Sequence, residues 1–411
     1  MKKLFLFTPA IILFLIVASC NTPVNNQEDS RELSAAEKTI VTNNRSFGFE
    51  LFKQTIAQEQ ETENVFISPL SLSMALGMTL NGAKAETYQQ IQQTLALSDL
   101  ELQEINEGYR SLAKLLTTID PKVKMQIANS VWNQKGFEVE DDFTKRLQTY
   151  FNAKSEGLDF NDPAAKDVIN KWVENETNGM IDKIIDANIP PEMVMYLINA
   201  IYFKGTWTHQ FDENQTKERD FHLDNGTTST VDMMSQTRSF SYLSTEQVQM
   251  IDLPYGDSLY SMTLMMPKNT TDSIDEFIAN DFTYQNFSSW LEAMNAGRIQ
   301  LSLPKFQMNY KIKLNDVLKS MGMVIPFEEH QANFEGINPG GKLFISEVAQ
   351  KAIIKVNESG TEAAAVTSVG VGVTSMPPSI NFNQPFVFMI REQSSGTVLF
   401  MGKVGNPSWD D

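Results

Sequence analysis

Apolar residues recur at helical spacing from residue 35 to 58. Ile40, Phe47, Leu51, Phe52 and Ile56 share one face, and the spacing predicts an amphipathic helix. Ser68-Pro69 opens a second helix. The serine offers an acceptor to the free amides of the first turn, and proline fits the first helical position because no N–H is needed there. The run Leu72, Met74, Ala75, Leu76, Met78, Leu80 is apolar nearly all round, which predicts burial, and Gly82 is a place for the helix to stop. Helical patterns continue over 85–97, 100–117, 141–151 and 164–176. From Met193 the pattern shifts to short runs rich in β-formers. Strands are predicted at 193–203, 240–243, 250–254, 260–266, 299–303, 341–345, 352–356, 386–390 and 398–404, with helices at 274–280 and 314–321. No Gly/Ser/Pro linker divides the chain after residue 35, and no repeat recurs. The prediction is one large α+β domain over 36–411, helix-rich early and strand-rich late.

The first residues read as an address. Met1-Lys2-Lys3 is basic, 4–17 is almost wholly apolar, and Val17-Ala18-Ser19-Cys20 follows. This is secretory signal architecture, with an apolar run too short for a comfortable membrane span. The last four residues resemble a bacterial lipobox, which makes 1–19 a removable leader and Cys20 the lipidated first residue of the mature chain. An ordinary cleavage site followed by an incidental cysteine is the other reading. Residues 20–35 are polar with mixed charges and read as a flexible tether. A membrane anchor through lipid on Cys20, in a bacterial cell envelope, is the expected location.

Charge and chemistry narrow the function. The formal charge is −18, and removing 1–19 takes away two lysines and brings it to −20. Such a surface repels phosphate, so no nucleic-acid partner is expected. The only cysteine is Cys20, which excludes an intrachain disulfide. The three histidines are far apart, and no HExxH or CxxC occurs, so no metal or cofactor is expected. Gly336 to Lys342 fits the start of a phosphate loop. The next residue is Leu343 rather than the Ser or Thr that holds magnesium, and the segment beyond reads as a strand rather than a helix. Gly370-Val371-Gly372 lacks a third glycine, and no GxSxG is present.

One stretch needs its own explanation. Between Glu362 and Arg391 there is no charged residue, in a chain that is 20% charged. Val369, Val371 and Val373 alternate with Ser368, Gly370 and Gly372, a period-two strand pattern. The same parity puts Thr361, Ala363, Ala365 and Thr367 on the valine face and Glu362, Ala364, Val366 and Ser368 on the other. Met376-Pro377-Pro378 forbids continuation. A permanent strand is one reading. The other is a segment with two states, solvated loop and inserted strand, for which small side chains and an uncharged inward face are the requirements.

With these residues in view, the sequence resembles the serpins over 36–407. Residues 357–365 (Asn-Glu-Ser-Gly-Thr-Glu-Ala-Ala-Ala) resemble the family's proximal hinge, and 382–388 (Phe-Asn-Gln-Pro-Phe-Val-Phe) its C-terminal signature. Residues 64–71 (Asn-Val-Phe-Ile-Ser-Pro-Leu-Ser) and 199–207 (Asn-Ala-Ile-Tyr-Phe-Lys-Gly-Thr-Trp) resemble two further family blocks. The resemblance implies a serpin fold with three β-sheets, about nine helices and an exposed reactive-centre loop at about 358–378. It implies a monomeric suicide-substrate inhibitor, not an enzyme, whose partner is a target serine protease held as a covalent complex. The cut loop inserts into the main sheet and carries the acylated protease with it. In the family the scissile bond lies fourteen residues beyond the hinge glycine. From Gly360 that count reaches Thr374, so Thr374–Ser375 is the expected bait bond, with bonds after Val373 or Val371 as alternatives.

The resemblance assigns hinge roles to Glu358, Gly360, Thr361, Glu362, Ala363, Ala364 and Ala365, with Val366 slightly bulkier than the family's usual alanine. Ser68, Ser71 and Asn199 match the shutter, where the sheet opens. Gln350 stands where many members have histidine. Trp207 matches the breach tryptophan, and Lys305 with Glu358 matches an ion pair at the top of the sheet, expected to be exposed. Thr374, Val373 and Val371 suit an elastase-like or subtilisin-like protease, and the absence of Lys and Arg from 363–390 disfavours a trypsin-like one. The competing reading is a non-inhibitory serpin, a binding or chaperone-like surface lipoprotein. The two differ in whether an SDS-stable protease complex forms.

Overall fold

The β-forming runs of the second half, joined by strands from the first, assemble two sheets. The computed structural model describes residues 33–60, 62–268, 273–340, 342–361 and 377–409. In chain order, α1 (Ala35–Gln58) leads to β1 (Asn64–Ile67), α2 (Pro69–Leu80), α3 (Ala85–Thr94), α4 (Leu102–Thr118), β2 (Val123–Gln134), α5 (Asp141–Phe151), β3 (Lys154–Leu158) and α6 (Ala165–Glu176). Then come β4 (Met195–Thr206), β5 (Lys217–His222), β6 (Thr228–Ser244), β7 (Val248–Tyr255), β8 (Tyr260–Pro267), α7 (Ile274–Asn280) and α8 (Tyr284–Glu292). The chain continues through β9 (Asn295–Pro304), β10 (Phe306–Lys313), α9 (Asn315–Ser320), β11 (Ala349–Asn357), β12 (Gly360–Thr361), β13 (Ser379–Asn381), β14 (Phe386–Glu392) and β15 (Val398–Val404). The described residues thus hold nine α-helices in an α+β fold, and from Leu33 onward the chain forms one compact unit.

The smaller sheet runs β10-β11-β12-β4-β2-β3, and the larger runs β1-β15-β14-β8-β7-β6-β9-β13 with β5 branching from β6. The three sheets implied by the resemblance take this form because β6 is long. It pairs with β5 along its first part and with β7 along its last, while β9 lies beside most of it, so the second and third sheets share a continuous hydrogen-bonded surface.

Alternation along β4 explains how the layers stack. Ile201 and Phe203 face the main core, where α2 packs against both β4 and β15. Ile198 and Ala200 face the other way, into a smaller cluster with Trp132, Ile169 and Val173 beneath α6. Ser68 caps α2 as its sequence promises, accepting from the Ser71 amide, with Pro69 in the first turn; nearly every residue of this helix is buried. Burying a Leu- or Phe-sized side chain contributes about 1.5–3 kcal/mol. A helix apolar on all sides is therefore stable only where two sheets enclose it.

The strand expected at 341–345 does not form in the described part, 342–345, which has no regular structure. Leu343 and Ile345 do turn inward against the core while Phe344 is exposed. The alternation is real, but the segment has no ladder neighbour; the Ile345 amide donates instead to the Pro326 carbonyl. Conversely β2, β3, β5, β10, α8 and the first part of β6 lie outside the predicted elements. Polar residues such as Gln126, Asn129 and Ser130 interrupt the apolar pattern of β2.

Candidate functional site

β4 and β11 run in the same direction, because β12 is antiparallel to both. Among the described residues they share no ladder of their own; the two residues of β12 sit between them at one end. Thr361 lies opposite Val356 on one side and Gly205 on the other. Beyond it the two strands flank a narrow apolar cleft lined by Ile201, Phe203, Ile354, Phe66 and Thr361. Downstream, β13 pairs in parallel with β9 in the larger sheet. The segment between Thr361 and Ser379 is therefore anchored in one sheet at its start and in the other at its end.

The approach to β12 is a tight turn. Asn357 Oδ1 accepts from the amides of Ser359 (3.0 Å) and Gly360 (3.2 Å). Gly360 has φ +145°, and a Cβ there would lie 2.2 Å from the Gly205 carbonyl oxygen, so only glycine lets the chain pass this close to β4. Trp207, at the end of β4, donates from Nε1 to the Asn357 carbonyl at 2.9 Å and stacks on Tyr255 with ring centroids 4.3 Å apart. The Thr361 side chain is 3% exposed, and its hydroxyl lies 2.7 Å from that of Tyr255. Burial holds the Tyr255 phenol protonated, its pKa pushed far above the usual range.

Glu358 is enclosed as well. It accepts from the Thr216 hydroxyl at 2.7 Å and pairs with Lys305 Nζ at 3.6 Å, the two side chains being 9% and 18% exposed. The expectation of an exposed pair is corrected here: the turn tucks Glu358 under the Phe211 amide, which donates to its carbonyl, and Trp409 covers Lys305 with its ring 4.7 Å from Nζ. An exposed pair would contribute about 0–1 kcal/mol. Here removal of one partner leaves a charge with little access to water, a loss of about 2 kcal/mol, between the exposed and the fully buried cases.

The residues matched to the shutter meet in one place. Ser68 Oγ donates to the Leu399 carbonyl (2.7 Å), and the Ser71 hydroxyl reaches the Asn199 carbonyl (3.5 Å). Gln350 closes a two-bond clamp on Ser68, accepting from its amide at 2.9 Å and donating to its carbonyl at 2.8 Å. Asn199 Nδ2 donates to Asn129 Oδ1 at 2.6 Å, while its own Oδ1 is buried without a partner among the described residues. Sequence reasoning missed Tyr255, Asn129 and Thr216. The one signal for Tyr255 was a polar-tipped aromatic ending an apolar run at Pro254-Tyr255-Gly256.

The strap between α6 and β4 crosses the outer face of the sheet. Ile181 and Ile189 pack into the cluster with Ile198, and Ile353 of β11 packs against the same cluster. Lys351 Nζ bonds Asp182 at 2.9 Å, and Lys311 pairs with Asp186. The lysine partners hold both carboxyls below the usual carboxylate range. Glu362, Ala363, Ala364, Ala365, Thr374, Ser375 and Cys20 lie outside the described residues, as do the leader and most of the tether.

A family model described as "Serpin (serine protease inhibitor)" matches residues 42–407. Serpin B8 of Bos taurus is 34% identical over 373 residues, covering 89% of this chain and 98% of its own. The leukocyte elastase inhibitor of Xenopus tropicalis is 32% identical over 371 residues, 88% of this chain and 97% of its own. Among solved structures, the thermophilic serpin tengpin in its native state has a TM-score of 0.82 at 34% identity, covering 92% of this chain and 96% of its own. The chain belongs to the serpin family, a family of protease inhibitors.

Proposed function

We propose that this protein is a suicide-substrate inhibitor of serine proteases. The observation that carries the reading is β12: the first residues of the loop already lie as a strand between two parallel strands that share no ladder of their own among the described residues. In the proposed reaction the target's serine hydroxyl attacks the Thr374 carbonyl carbon. The C–N bond to Ser375 breaks, the amine leaves protonated, and an ester joins Thr374 to the protease. With the downstream end released, the segment from Thr361 extends β12 down the cleft before water reaches the ester. A fourteen-residue strand spans about 45 Å, which carries the protease far from its docking position. In the register of β12, position 367 falls opposite Gln350 and Asn199. An inserted Thr367 hydroxyl would then be a donor for the unpaired Asn199 Oδ1.

The elastase-like or subtilisin-like preference rests on Thr374, Val373 and Val371, and the relative named as a leukocyte elastase inhibitor supports it. The lipid anchor rests on Val17-Ala18-Ser19-Cys20; several acyl chains together make such anchoring stable. The test is one gel: the mature chain mixed with pancreatic elastase should give an SDS-stable complex. The released C-terminal fragment should begin at Ser375. Cleavage without complex would favour the non-inhibitory reading, and a fragment beginning at Met376 or beyond would refute the register. Mass spectrometry of the mature N-terminus should find an acylated Cys20, and an unmodified one would remove the anchor.

A further inference from the structure

We propose that Tyr255 is the positioning residue of the hinge, its hydroxyl acting as the seat that holds Thr361 between β4 and β11. This rests on the inhibitory reading above and names the group that governs its decisive step. Tyr255 ends β7 in the larger sheet, yet its side chain reaches the smaller one. Its ring stacks on Trp207 and meets Phe203 edge-on at 5.2 Å; Phe203 lies in β4 and Trp207 directly follows it. A Cβ on Gly205 would lie 2.7 Å from this ring, so the glycine opposite Thr361 is what admits it. Tyr255 is completely buried, and Thr361 nearly so. Among the described residues, each hydroxyl has the other as its partner, at 2.7 Å.

The argument turns on what a buried hydroxyl needs. The aromatic frame fixes the phenol whether or not the hinge is seated. If Thr361 leaves, the phenol loses its partner inside an apolar site. If a residue without a hydroxyl arrives, the phenol is equally unpaired. Leaving a buried polar group unpaired is penalised far more than removing both members of the pair together. The seat therefore selects a hydroxyl at position 361 over an aliphatic side chain of the same shape. It also favours the inserted start of the strand over its expulsion. Because insertion races hydrolysis of the acyl-enzyme, a firmer start shifts the outcome toward trapping.

Three variants test this: Tyr255→Phe, Thr361→Val and the two combined. Each keeps the shape of the site, and Tyr255→Phe keeps the stack on Trp207. Each single variant should raise the number of inhibitor molecules consumed per protease trapped by about fivefold or more, as expected for one unpaired buried hydroxyl. The rate of loop cleavage should not change. Hydrogen exchange at the Gly360 and Thr361 amides should accelerate in step. The double variant should return toward wild type in both measurements, and Thr361→Ser should match wild type. The proposal is overturned if the single variants trap and exchange as wild type does. It is also overturned if the double variant is as impaired as the sum of the singles, which would mean that only general packing was lost. If the wild-type chain traps no protease, the inhibitory reading falls, and amide exchange still decides whether Tyr255 seats the hinge.

Discussion

The two ends of the cleft between β4 and β11 are held by different physics. At the hinge end the contacts are buried and mostly neutral: Trp207 on the Asn357 carbonyl, Tyr255 on Thr361, and an enclosed Lys305–Glu358 pair. Across the sheet's outer face, the strap from α6 is fastened by Lys351–Asp182 and Lys311–Asp186, whose carboxylates are 67% and 58% exposed. Low-dielectric contacts of the first kind are strong, geometrically exacting and nearly blind to salt. Surface pairs of the second kind are weak and screened. In the proposed insertion, the hinge would decide whether a strand starts to enter, and the strap would be a latch that yields readily as that strand advances.

The comparison is broken most severely at Thr361. Thr361→Arg would bury an unpaired guanidinium at a cost of several kcal/mol, about the scale of an isolated buried charge. The variant should be cut at the same bond, release active protease and form almost no complex on a gel, whereas Glu362→Arg, on the opposite parity, should still trap. Cleavage should also raise the melting temperature of wild type more than that of Thr361→Arg. If Thr361→Arg trapped as well as wild type, insertion through this site would be excluded.

A smaller effect is expected at Glu358. Glu358→Gln keeps the acceptor for Thr216 but leaves Lys305 without its anion, and a loss of about 2 kcal/mol in native stability should appear in chemical denaturation. A change below about 0.5 kcal/mol would show that Trp409 and water suffice for the lysine.

The least effect belongs to the strap. Asp182→Asn with Asp186→Asn should change stability by less than about 1 kcal/mol and should reduce the salt dependence of the trapping rate. Both carboxyls have pKa values lowered in the fold. Their contribution is thus present above the ordinary carboxylate range and is lost as pH falls through the lowered values. Acid and salt should therefore loosen the same latch. A trapping rate equally salt-dependent in the double variant would place the screened charges elsewhere.

How much of this was legible depends on where each residue finds its partners. The helix over 35–58 and the strand over 398–404 coincide with their predicted limits, because a periodic apolar face and local capping define them. The capping Ser34, bonded reciprocally to Glu37, is local chemistry. The strand β2 was not legible: its buried Asn129 finds its partners at the Phe151 carbonyl and at Asn199, 22 and 70 positions away. Tyr255 and Thr361 are 106 positions apart and belong to different sheets, so nothing in the spacing joins them. The enclosure of Lys305 and Glu358 likewise depends on Trp409, which no hinge pattern contains.

The pairing of β1 has a consequence for how the protein is made. β1 lies near the start of the described chain, yet its one ladder partner among the described residues is β15, and Asn64 also bonds the Asn406 carbonyl, 342 positions later. The larger sheet therefore cannot close on this strand until nearly the whole chain has left the ribosome. A contact this distant in sequence makes folding slow, because the closure entropy of a long loop must be met before the contact stabilises anything. If the proposed lipoprotein leader directs the chain across a membrane in an extended state, such delay is an advantage: β1 would wait unpaired through translation, and the sheet would close only on the far side.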